Sequence, residues 1–98
     1  MILFVDDERL PPLLYDTHVK TYEDAIKQLE TGEVTVISLD HDLGTDKTGY
    51  DIAKWIEEAA FCKKIPRLKW KIHSANPEGK EKIKMSLMKA DEFWRKNV

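Results

Sequence analysis

Cysteine is almost missing from this chain: Cys62 stands alone among 98 residues. That excludes an intrachain disulfide framework and a thiolate metal cluster. No apolar run approaches the length of a membrane span, and no basic-then-apolar leader opens the sequence. A cytoplasmic protein without a membrane partner is therefore expected. Internal repeats, linkers and low-complexity segments are lacking too, so residues 1–98 are expected to form one domain around one core. What is present, 42% apolar and 35% charged residues, is the composition of an ordinary globular protein. The net charge of −2 is unevenly spread. Residues 1–62 hold 5 basic and 14 acidic side chains, whereas residues 63–98 hold 11 basic and 4 acidic. The basic part can attract an anionic ligand such as a nucleotide; solvated helix faces account equally well for most of its lysines.

Two stretches carry the argument. Val34-Thr-Val-Ile-Ser-Leu39 runs into Asp40, His41 and Asp42 before Gly44. Met1-Ile-Leu-Phe-Val5 runs into Asp6, Asp7 and Glu8. Short continuous apolar runs bounded by turn residues read as buried parallel strands, and ligands of open α/β sheets bind at the carboxyl ends of such strands. Adjacent carboxylates there are costly unless a cation or hydrogen bonds neutralise them. A hard divalent cation suits them, because it prefers oxygen ligands.

The rest supplies scaffold. Two prolines keep Leu10–Leu14 from being a helix interior, and a short strand is expected near His18–Thr21. Thr21 and Asp24 resemble a capping box. Tyr22, Ala25, Ile26 and Leu29 then fall on one helical stripe, with Gly32 suited to the C-terminal cap. A polar loop from Gly44 to Gly49 precedes a second helix over residues 50–62, with Ile52, Ala53, Ile56 and Ala60 inward and Trp55 as a packing residue. Residues 68–74 alternate strictly, so Leu68, Trp70 and Ile72 should face a helix while Lys69, Lys71 and His73 lie on the other side, on an edge strand. Asn76-Pro77 opens the last helix as N-cap and first helical residue.

The order β, loop, β, α, β, α, β, α, with polar residues ending strands one, three and four, resembles the receiver domain of two-component signalling. On that resemblance Asp6-Asp7 is the acidic pair, Asp40 the phosphoacceptor, Ser74-Ala75 the end of the fourth strand and Gly49 the glycine near the following helix. It implies a truncated receiver-like (flavodoxin-like) α/β three-layer sandwich. Its mainly parallel four-stranded sheet has the order 2-1-3-4: the uninterrupted apolar strands are central, and the lysines of the fourth mark the rim. Departures are the lost first helix and the missing fifth strand with its lysine. In their place the chain has His41, Asp42, His73 and Asn76 around the strand ends. Leu-Asp-His-Asp-Leu-Gly together with His-Ser-Ala-Asn is similar to a receiver-like family predicted to process cyclic phosphates.

The chemistry expected of these residues is a divalent metal, Mg²⁺ or Mn²⁺, held by Asp6, Asp7, Asp40 and Asp42. Adding His41 would shift the preference toward Mn²⁺, Fe²⁺ or Zn²⁺. His41 and His73 are the candidate acid–base groups, and Ser74 and Asn76 can hydrogen-bond a phosphoryl oxygen at a helix start that favours anions. Structural roles compete: Asn76 as a cap, Ser74 as a partner for strand-end backbone, His73 as a solvated edge residue, His18 as scaffold. Three functions follow. The first is a metal-dependent phosphoesterase acting on cyclic phosphates or cyclic nucleotides. The second is a degenerate receiver switch phosphorylated on Asp40, and the third a non-catalytic module that sequesters a nucleotide. The expected partner is a small anionic, cyclic nucleotide or phosphate rather than nucleic acid, and the open sheet edge can meet a second subunit.

Overall fold

The two apolar runs pair with each other at the centre of the sheet. A computed structural model describes residues 1–9 and 15–96. It runs β1 (Ile2–Val5), β2 (Thr17–Val19), α1 (Tyr22–Glu30), β3 (Val36–Leu39), α2 (Gly49–Phe61), β4 (Lys69–Ile72) and α3 (Pro77–Lys96). All four strands are parallel, in the order β2-β1-β3-β4. The proline-rich segment 10–14, expected to replace a first helix, lies outside the described residues.

Successive strand residues point to opposite faces, and here the faces differ in kind. Leu3, Val5, Ile37 and Leu39 are fully buried and join Ala25, Leu29, Ile52, Ile56, Ile83 and Leu87 in one apolar cluster. Burying each such Leu, Ile or Val contributes roughly 1.5–3 kcal/mol. The helices belong to that face: α2 packs most extensively on α3 and also touches α1. Phe4 is buried as well but stands outside the cluster, on the opposite face. Among the described residues the sandwich thus consists of the sheet and one helical layer, and no helix there supplies the third layer of a full receiver.

Local chemistry explains the helix ends. The Thr21 hydroxyl accepts the Asp24 N–H, and Gly32, at φ 74°, follows the Thr31 cap. The reciprocal capping box belongs to α2: Thr48 accepts the Tyr50 N–H while the Asp51 carboxylate accepts the Thr48 N–H at 2.8 Å. Asn76 Oδ1 accepts the Gly79 N–H at 3.0 Å, capping α3. On β4, Trp70 turns toward α3 and its indole N–H donates to Asp91 at 3.0 Å. Within the described residues no helix is long and apolar enough to cross a membrane.

Candidate functional site

Strand register arranges the face away from the helices as a grid. Ile2, Val36 and Lys69 are partners across β1, β3 and β4, and Phe4, Ser38 and Lys71 form the next row. One step further along each strand come Asp6, Asp40 and His73. Their backbone N–H groups continue the ladder to Val19, Val5 and Leu39 respectively. A carboxylate oxygen of Asp6, one of Asp40 and a ring nitrogen of His73 lie within 4.8 Å of one another. Register alone brings these three groups together at the carboxyl end of the sheet.

Asp6 has no exposed surface. Its Oδ1 accepts the N–H groups of Glu8 at 2.9 Å and Arg9 at 2.8 Å, and its Oδ2 pairs with His73 Nε2 at 3.0 Å. Burial acts to raise the pKa of this carboxyl. The Arg9 and Glu8 N–H groups, with the hydrogen bond and charge of His73, outweigh it and hold the carboxyl below its ordinary value. The other ring nitrogen, His73 Nδ1, lies 2.7 Å from the Ser38 hydroxyl. The ring also stacks on Phe4, with centroids 4.6 Å apart and planes 5° from parallel. His73 is therefore fixed on three sides: Asp6, Ser38 and Phe4. Arg9 adds a hydrogen bond from its guanidinium to the His73 carbonyl, which ties the turn after β1 to the end of β4.

Asp40 is 8% exposed; its carboxylate makes no hydrogen bond among the described residues, and its oxygens reach solvent. Its backbone carbonyl explains Gly49, because a Cβ there would sit 1.9 Å from that oxygen. The Gly49 N–H also donates to the His41 carbonyl at 2.8 Å, so the first turn of α2 rests directly on the acidic strand end.

The remaining candidates lie around this group. Asp7, the neighbour of Asp6, lies in the bend after β1, and its carboxylate packs beside Gly44. His41 Nδ1 pairs with Asp42 Oδ1 at 2.8 Å, and Asp42 is 65% exposed. The His41 ring lies against Gly79 in the first turn of α3, where a Cβ would come within 2.3 Å of its Cγ. Ser74 Oγ accepts the Asn76 N–H at 3.0 Å. Both residues thus engage the backbone at the start of α3. His18 braces the site from β2: its Nε2 bonds the Asp6 carbonyl at 2.8 Å and its ring makes a T-shaped contact with Phe4, centroids 5.5 Å apart. Sequence reasoning did not single out Ser38 or Arg9. For Ser38 a signal existed, since it is a hydroxyl inside an apolar run and shares parity with Asp40. For Arg9 there was none.

A parallel sheet with a buried acidic pair at its carboxyl end, flanked by helices after β2, β3 and β4, defines a receiver-type α/β domain. The family model of the cyclic-phosphate processing receiver domain matches residues 1–89. The chain belongs to that family. No curated protein and no solved structure matches it.

Proposed function

We propose that this receiver domain opens cyclic phosphodiesters of nucleotides by hydrolysis at the Asp6–Asp40–His73 group. The observation that carries the reading is the state of Asp40: a largely buried residue beside Asp6 whose carboxylate oxygens meet solvent and no hydrogen-bond donor among the described residues. Two carboxylates so placed suit a divalent cation. An ion held by Asp40 and the free lone pair of Asp6 Oδ2 leaves every hydrogen bond of Asp6 and His73 in place. Those oxygen ligands favour Mg²⁺ or Mn²⁺, and recruiting His73 as a third donor would favour Mn²⁺. When bound, the ion would neutralise the pair and polarise a phosphoryl oxygen.

His73 supplies the proton chemistry. Its ring can carry a proton on both nitrogens with each N–H satisfied, Nε2–H by Asp6 and Nδ1–H by the Ser38 hydroxyl, which can donate or accept. Water adds to phosphorus, one ring P–O bond breaks, and the departing oxygen takes the Nε2 proton. The attacking water returns its own proton to the imidazole. The products are a linear phosphomonoester and the original protein. Phe4 keeps the ring in plane for that transfer.

Incubation with cyclic mononucleotides, 2′,3′-cyclic nucleotides and cyclic dinucleotides in Mg²⁺ or Mn²⁺, followed by chromatography, tests this. Linear products are expected and should vanish with chelator. Tight binding of a cyclic nucleotide without any conversion would replace hydrolysis by sequestration.

A further inference from the structure

The acidic row is the top of a larger surface. Below it a trough of about 1250 Å³ runs from the same sheet face over the β4 edge, lined among others by Ile2, Val36, Ser38, Lys69 and Lys71 and, from the helical side, by Trp70 and Asp91. Ser38 belongs to both regions, because its hydroxyl meets His73 while its side chain lines the trough. The two regions adjoin at Ser38.

The trough exceeds the ~300–1,000 Å³ typical of small-ligand sites, and its composition is selective. Ile2 and Val36 give a half-buried apolar floor on the central strands, whereas Lys69 and Lys71 are exposed on β4. Arg67 adds a third cation, and Asp91 of α3, also in the lining, accepts the Trp70 indole N–H. Apolar floor and cationic wall together suit a ligand with a flat heterocycle and an anionic group. Lys71 is two residues before His73 on the same strand, roughly 6.6 Å along it, so an anion there would be separate from one held at Asp6 and Asp40. A second copy of this chain fits poorly, since face-to-face pairing would oppose two sets of three cations.

Resting on the hydrolytic reading above, we infer that the trough is a second subsite that selects cyclic nucleotides carrying two phosphate groups. One phosphodiester sits at Asp6–Asp40–His73, a base lies on the Ile2–Val36 floor, and the second phosphate meets Lys71 and Lys69.

The test compares a cyclic dinucleotide with a 3′,5′-cyclic mononucleotide, using the wild type and a Lys69→Glu/Lys71→Glu variant of the full chain. KM is read where hydrolysis occurs and Kd where it does not. Both substitutions are at exposed positions, and circular dichroism checks the fold. The double variant should weaken the dinucleotide by about tenfold or more, change the mononucleotide by less than about twofold, and leave Mn²⁺ affinity by calorimetry unchanged. Equal losses for both nucleotides, or none, would overturn the second subsite while hydrolysis stands. A wild type that binds Mn²⁺ yet neither binds nor converts any cyclic phosphate would overturn the hydrolytic reading, and the subsite with it. A wild type that sediments as a dimer dissociated by the double variant would assign the face to self-association instead.

Discussion

The two faces of the sheet are made by the same few strand residues and follow different rules. Toward the helices, Leu3, Val5, Ile37 and Leu39 are uniformly apolar and fully buried. Away from them, the rows read Ile2–Val36–Lys69, Phe4–Ser38–Lys71 and Asp6–Asp40–His73, apolar at one end and ionisable at the other. Parity divides the labour: odd positions of β1 and β3 stabilise, and even ones bring chemical groups together. Variants of the first face should therefore cost stability, and variants of the second should cost activity.

The largest expected effect tests the second half of that contrast. His73→Ala should lower turnover of a confirmed cyclic phosphate by roughly 10²–10⁴-fold, the range for a lost acid–base group, with Mg²⁺ or Mn²⁺ affinity nearly intact. Parallel loss of metal affinity in calorimetric titration would make His73 a ligand. On the covered face, Leu39→Ala should lose about 2–5 kcal/mol in chemical denaturation. Equal destabilisation by Val36→Ala, from the half-buried opposite side, would erase the distinction.

Gly79→Ala probes the junction of the faces, since its methyl would strike the His41 ring. Overpacking of this kind costs about 1–3 kcal/mol, read as a lowered Tm. A smaller and opposite change is expected of Asp40→Asn. It relieves repulsion with Asp6, so without metal it should raise stability by about 1 kcal/mol while weakening Mg²⁺ or Mn²⁺ binding. Unchanged metal affinity would remove Asp40 from the ligand set.

The smallest effect is on acid stability. The folded-state pKa of Asp6 is depressed, so its contribution is fully present above the unfolded carboxylate value of about 4. It fades as pH falls through the lower folded value. Asp6→Asn should flatten the acid limb of a stability–pH curve below that point. A limb as steep as that of the wild type would show other carboxylates responsible.

Strand positions and sheet order were legible because uninterrupted apolar runs belong in the middle of a parallel sheet and alternating lysines at its edge. Asp6 was within reach because it continues the parity of Phe4, whereas Asp7 lies in the bend after β1 with its carboxylate beside Gly44. His41 and Asp42 were harder, because they follow the last strand residue and the turn, not the pleat, decides where they point. The contact of Ser38 with His73 spans 35 residues and exists only once β3 and β4 are in register. The capping box of α2 was hidden differently. Thr48 and Asp51 have the right spacing, but a run of polar loop residues before them masks the helix start.

The parallel stack of Phe4 and His73 has a spectroscopic consequence. An imidazole lying 4.6 Å above a phenyl ring sits in that ring's magnetic shielding, so its carbon-bound protons should resonate upfield of their position in a Phe4→Leu variant. The pair thus labels the acidic row without any added probe. Displacement of the imidazole by a ligand, or its retention, can be followed as a change in one proton signal.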